Sequence, residues 1–392
     1  MSATPSNNPL KPHPMMPGLT HDEMSEQMFV ADFKAFIGSD IEPSQRDVVN
    51  NKVLPEMTAR TGAKPASHIE VGKEMAKEGA YQNWALLTRT AQEMMWDSAG
   101  TCVDRQLGDL KALADVKAPK GSLTVDPNFE VPRYIDAVDI HCMPGNYHAV
   151  VGENDVRQGA LFDRAAAIYH MGRNGGFMND IRGHTVMAHY FARFPDKTLN
   201  RKDARILDIG CTVGHSTLAV ASYAPLAETH AIDVGEGLLR YAYARAEHLG
   251  YGIHFSQQNA EHTNFPDNHF DLVFSSAVLH ETSRKALPRI MAECRRILKP
   301  GGVLIHLEVP AKYESLDTWG RIRGDYEITY NNEPFWRGAL TSDFGELVRA
   351  AGFKDVQTGY QDAVSKAVPG AGGFGDVHKG VHRCWFMISA VK

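Results

Sequence analysis

The chain has 392 residues, a length that suits two domains or one large domain with extensions. Apolar residues make up 43% and charged residues 22%, ordinary globular usage that excludes a disordered or fibrous chain. With 41 Lys and Arg against 47 Asp and Glu there is no basic surplus for a dedicated nucleic-acid binder, and no apolar run approaches the ~20 residues that span a bilayer.

Residues 1–20 carry five prolines and no periodic apolar pattern, which predicts a disordered tail. The stretch is polar and lacks the apolar core of a signal peptide. From Met24 to about Leu110 the signals are helical. Ser67 with Glu70 forms a capping box, and Trp84, Leu87, Ala91, Met94 and Met95 recur on one helix face. Such a face must be covered by the rest of the chain or by a second subunit, so residues 21–155 are expected to include a dimerisation surface. Between Lys117 and Asn154 the pattern loosens into a connecting segment containing His141-Cys-Met-Pro-Gly-Asn-Tyr147-His148. Tyr147 and His148 are candidates for a substrate wall or lid. The His141, Cys142 and His148 set follows no zinc-ligand spacing, so no metal is assigned. The cysteines Cys102, Cys142, Cys211, Cys294 and Cys384 are scattered, without a CxxC pair, and read as reduced thiols of a cytoplasmic protein.

A second helical stretch runs from Gly159 to Phe194, and from residue 204 strands and helices alternate. ARILDIG, THAIDV, IHFSQQ, FDLVFSS and GVLIHLEV are short apolar strands separated by amphipathic helices. GFKDVQTGY and HRCWFMISAVK add two more near the end. This predicts an α/β fold with a doubly wound, mostly parallel sheet over 156–392, preceded by the helical region.

In such a sheet the ligand crevice lies beyond the carboxyl ends of the strands. Four loops there carry polar residues. The first is Asp208-Ile-Gly210-Cys211-Thr-Val-Gly214, whose glycines admit a ligand close to the backbone. Asp233, 25 residues after Asp208, can accept both hydroxyls of a ribose. Asn259-Ala260 and Ser275-Ser276 close the third and fourth strands. The spacing GxxxG, with an acid two residues ahead, differs from the dinucleotide fingerprint GxGxxG. A carboxylate there repels a pyrophosphate but suits an ammonium or sulfonium. The literal GxGxxG at Gly370, Gly372 and Gly375 follows a proline and no strand, and reads as a flexible loop.

LDIGCTVGHST, Asp233, the run NAEHTNFPDNHFDLVFSSAVLHE and RRILKPGGVL together resemble the class I S-adenosylmethionine-dependent methyltransferases, especially the ubiquinone-biosynthesis branch. The resemblance is close over about 200–310. It implies a Rossmann-like methyltransferase domain, S-adenosylmethionine as cofactor and a helical module over the active site. It implies further that Asp208, Gly210, Cys211 and Gly214 surround the methionine end of the cofactor. Asp233 would hold the ribose, Asn259 and Ala260 meet the adenine, and Ser275 lie beside the sulfonium. The family commonly has glycine at Thr212 and aspartate at Asn259; these departures admit a non-catalytic binding protein of the same fold, and an NAD(P)-dependent oxidoreductase is the third reading. His280 and Glu281, after the fourth strand, are the candidate catalytic pair for an oxygen nucleophile, which must lose a proton, whereas a sulfur nucleophile need not. Tyr169, Arg182, Glu308 and the aromatic insert Tyr313–Arg337 are further candidates for the crevice. The expectation is methyl transfer to an O or S atom of a small molecule by a homodimer.

Overall fold

The computed structural model describes residues 11–170, 180–309, 316–380 and 383–392. The helical half begins with α1 (His21–Phe36), α2 (Glu42–Val48) and α3 (Leu54–Thr61), joined through π-helical turns at Ile37–Ile41 and Val49–Val53. Pro43 and Pro55 follow these turns directly, and each lacks the N–H that an uninterrupted α-helical ladder would use. Thr20 and Glu23 form a reciprocal capping box on α1. Ser67 caps α4 (His68–Met75), while the Glu70 carboxylate reaches the amide of Ala66 rather than that of Ser67.

The Trp and Met stripe lies on the long helix α5 (Gly79–Ala114), with Trp84, Ala91 and Met95 buried. Segments of the same chain cover it, so that face is not left for a second subunit. Residues 11–20 are not a free tail. His13, Met15 and Met16 are wholly buried, because Asp163 binds His13 Nε2 at 3.0 Å and the Tyr241 hydroxyl donates to the carbonyl of Met15. Residues 1–10 lie outside the described residues.

The connecting segment contributes β1 (Ser122–Thr124), α6 (Arg133–Asp136) and a 3-10 turn at Ile140–Cys142. Helices α7 (Arg157–His170) and α8 (Ile181–Arg193) precede the alternating region. That region runs β2 (Arg205–Ile209), α9 (His215–Tyr223), β3 (Glu228–Asp233), α10 (Glu236–His248), β4 (Ile253–Gln257), β5 (Phe270–Ser276), α11 (Ala286–Ile297) and β6 (Leu298–Glu308). The insert forms α12 (Thr318–Tyr330) and α13 (Trp336–Leu340). The chain ends with α14 (Phe344–Ala350), β7 (Lys354–Asp362), β8 (Phe374–Gly375) and β9 (Cys384–Val391).

The strands form one sheet in the order β1-β4-β3-β2-β5-β6-β9-β7-β8. β1 through β6 pair in parallel, and β9 inserts antiparallel between β6 and β7. The fold is the expected α/β class, with a Rossmann-like, mostly parallel sheet and an N-terminal helical region. The segment PGAGGFGD is not wholly a loop, since Phe374 and Gly375 pair with Gln361 and Tyr360. The strand order reverses at β2, which puts a crevice at the carboxyl ends of β2, β3 and β5. No described helix is long and apolar enough to cross a membrane.

Candidate active site

A cavity of about 990 Å³ opens at those strand ends and extends under the helical half. Its floor is the loop after β2. Gly210 takes a φ of +68°, and its amide donates to the carbonyl of Ile232 at 2.8 Å, which folds the loop back onto β3. A Cβ there would lie 2.6 Å from a methyl of Val278, so the position is closed to any side chain. Thr212 keeps the left-handed backbone that glycine adopts easily, with a φ of +46°, at a cost of roughly 1–2 kcal/mol. The strain is offset by the bond from its amide to Asp233 Oδ2 at 2.9 Å. The replacement of glycine at 212 therefore leaves the loop shape intact.

Asp233 also accepts from the amide of Gly235 at 3.0 Å, and burial pushes its carboxyl up to about 6 against these two donors. Gly235 is obligatory for a separate reason: a Cβ would stand 2.2 Å from the carbonyl of Tyr147. This contact clamps the 141–148 segment over the Asp233 side of the cavity. Asn259 and Ala260 line the same side.

Four of the expected cofactor contacts stand back from the cavity. Asp208 is buried beneath the loop, its Oδ2 accepting from the Thr217 hydroxyl at 2.6 Å and its Oδ1 without a hydrogen-bond donor among the described residues. Burial, with the Asp233 charge adding to it, pushes Asp208 up to about 8 despite the Thr217 bond. Cys211 packs in the apolar core between α9, α10 and β4. Gly214 caps α9 with a φ of +77°. Ser275 points into the sheet and pairs with His306 Nδ1 at 2.7 Å; the alternation of side chains along β5 makes Ser276, not Ser275, the serine that lines the cavity.

The other end of the cavity is built by Glu308. One oxygen accepts from the amides of Val278 at 3.0 Å and Leu279 at 2.6 Å, forming the 3-10 turn Leu279–Glu281. The other lies 2.8 Å from His280 Nδ1 and so turns His280 Nε2 toward the cavity. Burial works against protonation of His280, but the charge of Glu308 with those of Glu333 and Glu281 lifts it to about 9. Glu281 accepts from the Tyr147 hydroxyl at 2.9 Å, and its Oε1 stands 3.3 Å from His141 Nε2. Burial raises Glu281, but His141 and His280 outweigh it and hold the carboxyl below its ordinary value. Glu333, 1% exposed, places Oε1 2.9 Å from His141 Nδ1.

His280, Glu281 and Tyr147 thus meet at one end of the cavity, while His148 turns away to Asp136 at 2.9 Å. Sequence reasoning considers His141 only within the His141, Cys142 and His148 set and does not single out Glu333. Within the 141–148 segment it is His141, rather than His148, that lines the cavity. Nothing in NNEPF, a short polar run after α12, marks Glu333. Tyr169 and Arg182 both line the cavity, as do Trp319, Tyr326 and Trp336 of the insert, whereas Tyr313 lies outside the described residues. Trp96, Phe162 and Trp385 complete an aromatic wall around the polar end.

A family described as a methyltransferase domain matches residues 206–302. A demethylmenaquinone methyltransferase of Symbiobacterium thermophilum is 30% identical over 224 residues, which cover 51% of this chain and 85% of that protein. A malonyl-[acyl-carrier protein] O-methyltransferase of Methylococcus capsulatus is 40% identical over 103 residues, covering 26% of this chain and 36% of the relative. A SAM-dependent methyltransferase structure from Methanosarcina mazei is 23% identical and covers 49% of this chain and 93% of that one, with a TM-score of 0.36. The demethylmenaquinone methyltransferase, covered over 85% of its length, and the matching family are methyltransferases, which sets aside the dinucleotide oxidoreductase and the non-catalytic binding protein. With the glycine loop, the acid closing β3 and the sheet order already in place, the chain belongs to the class I S-adenosylmethionine-dependent methyltransferases, and S-adenosylmethionine is its cofactor.

Proposed function

We propose that this methyltransferase acts on an oxygen nucleophile of a small, largely aromatic or apolar molecule. The observation that carries the reading is the polar end of the cavity, where His280, Glu281, His141 and Tyr147 converge inside an aromatic wall. A thioether acceptor would need only positioning and an aromatic face for its new cation. A hydroxyl must be held and relieved of its proton, which the Glu281 carboxylate, kept below its ordinary value by the neighbouring histidines, can accept. The adenosyl and methionyl parts of the cofactor are assigned to the loop after β2, to Asp233 and to Asn259 and Ala260, so that the methyl faces the His280 turn. In-line placement of oxygen, methyl carbon and sulfur supplies much of the rate, up to ~7–11 kcal/mol for well-oriented groups. Sulfur as the nucleophile is the second reading, and C-methylation is known by name among relatives such as the ubiquinone/menaquinone biosynthesis C-methyltransferase of Burkholderia mallei, 29% identical and matched over 68% of its length.

The test is Glu281→Gln, which keeps the shape and removes the charge. Transfer to a panel of phenols and alcohols should fall at least 100-fold, while stabilisation by S-adenosylhomocysteine stays the same. A variant that keeps the parent rate on oxygen acceptors, or a parent that methylates only thiols, overturns the reading. We place the enzyme in the cytoplasm on its scattered free thiols, working on a small molecule rather than nucleic acid. A homodimer is proposed through the exposed Met28, Phe29 and Phe36 of α1 and Leu86 of α5; light scattering at micromolar concentration decides it.

A further inference from the structure

We propose that His141, His280, Glu281 and Glu333 bind one divalent first-row transition-metal ion, and that this ion receives the oxygen of the methyl acceptor. The inference deepens the oxygen-acceptor reading and rests on it for the ion's role, though not for its binding. One ligand atom from each of the four residues lies within 4.8 Å of the others. His141 Nε2 and His280 Nε2 stand 3.3 Å and 3.8 Å from the same Glu281 oxygen, while Glu333 Oε1 lies 2.9 Å from the opposite ring nitrogen, His141 Nδ1. Neighbouring ligands around an ion with bonds of about 2.0–2.2 Å stand roughly 3.0–3.5 Å apart, so His141, His280 and Glu281 are near that spacing and Glu333 joins them by turning away from His141 Nδ1.

A second observation points to a missing partner. Glu333 is 1% exposed, and apart from the His141 ring 2.9 Å from Oε1 neither of its carboxylate oxygens has a hydrogen-bond donor among the described residues. His141 stands beside it, but a single imidazole shared between two carboxylates leaves lone pairs unused on both. Two carboxylates balance the charge of a divalent ion with both imidazoles neutral. Two nitrogen and two oxygen ligands suit zinc, iron(II) or manganese rather than calcium.

The surroundings have the arrangement that fixes metal ligands. Glu308 holds His280 Nδ1 at 2.8 Å and leaves Nε2 for an ion, and the Tyr147 hydroxyl fixes Glu281 at 2.9 Å. All four ligands line the cavity, so an ion accepting five or six ligands keeps a position open to the acceptor.

In the transfer step the hydroxyl bound to the ion releases its proton to solvent on binding. A lone pair of that oxygen then forms the new O–CH3 bond, and the C–S bonding pair returns to sulfur, leaving a neutral thioether. Sequence spacing does not mark this set, because its members come from three separated segments: His141, the adjacent His280 and Glu281, and Glu333.

The test uses the full chain, stripped with EDTA and titrated with Zn2+, Mn2+ or Fe2+ alone, with metal content read by mass spectrometry and binding by calorimetry. The expected result is one ion per chain, with affinity falling at least tenfold in Glu333→Gln and in His141→Ala while stabilisation by S-adenosylhomocysteine is unchanged. No ion bound to the stripped parent, or an unchanged affinity in both variants, overturns the site. An ion bound as expected with no methylation of oxygen acceptors supports the site and overturns the oxygen reading. Full oxygen methylation by the metal-free chain overturns the ion's role and leaves the oxygen reading standing.

Discussion

At the scale of single residues, Asp233 shows how one carboxylate organises a site before any ligand arrives. It ties Thr212 to Gly235, and so ties the loop after β2 to the turn after β3. Held by two amides and buried, it is the residue we propose to hold the cofactor ribose. Asp233→Ala should abolish stabilisation by S-adenosylhomocysteine, which for the parent at 100 times its dissociation constant is about 2.7 kcal/mol. A thermal shift of parental size in the variant would show that the cofactor sits elsewhere. Residue types in this loop were legible because backbone freedom and charge are properties of a single residue. Ser275 and Ser276 were not separable, since adjacent strand residues face opposite ways and only the sheet register decides which meets the crevice. Glu333 was invisible for a different reason: its partners, His141 and Glu281, are brought to it by the packing of α12 and the 3-10 turns.

At the scale of elements, α5 and α12 act as one wall. Trp84 is wholly buried and meets Tyr326 at 4.7 Å and Trp319 at 5.0 Å between ring centroids, with the Arg323 guanidinium 5.7 Å from its own ring. Trp319, Tyr326 and Arg323 also line the cavity, so this aromatic cluster sets the position of the substrate wall. Trp84→Ala should cost about 3–5 kcal/mol, measured by denaturant unfolding, and should raise KM for the acceptor more than for the cofactor. Equal changes in both would mean that α12 does not shape the acceptor end. The periodicity of α5 was plain in the sequence, and so were the strands from β2 to β6, whose apolar runs exceed anything a loop tolerates. β1 escaped notice because three residues carry no alternation; what places it is backbone pairing with β4 at Ser122, Leu123 and Thr124.

At the scale of the whole molecule, the many histidines gain a partial explanation as buried neutral pins between layers. His189 joins α8 to both closing strands, through Ser389 at 2.8 Å and Gln361 at 3.1 Å, and burial, with Arg193 adding to it, pulls it down to about 4. His215 joins α9 to α7 through Asp163 at 2.7 Å and is likewise pulled down to about 4, burial outweighing the Asp163 charge. For each, the unfolded chain takes up a proton near pH 6.5 while the folded one does not until about pH 4. Their contribution is therefore complete above pH 6.5 and is lost as the pH falls toward 4, by at most about 3 kcal/mol apiece. Asp208 and Asp233, raised to about 8 and about 6, tilt stability the opposite way over part of that range, so the total slope is shallower than either histidine alone would give. The histidine contribution is isolated by comparing His189→Gln with the parent. The variant should be less stable at pH 7.5, where it loses fitted packing and two hydrogen bonds, and the gap in Tm should close as the pH approaches 4.5. A gap that stays constant across that interval would mean that His189 is protonated in the native state, and that α8 is held to the closing strands by charge rather than by a neutral hydrogen-bonded ring.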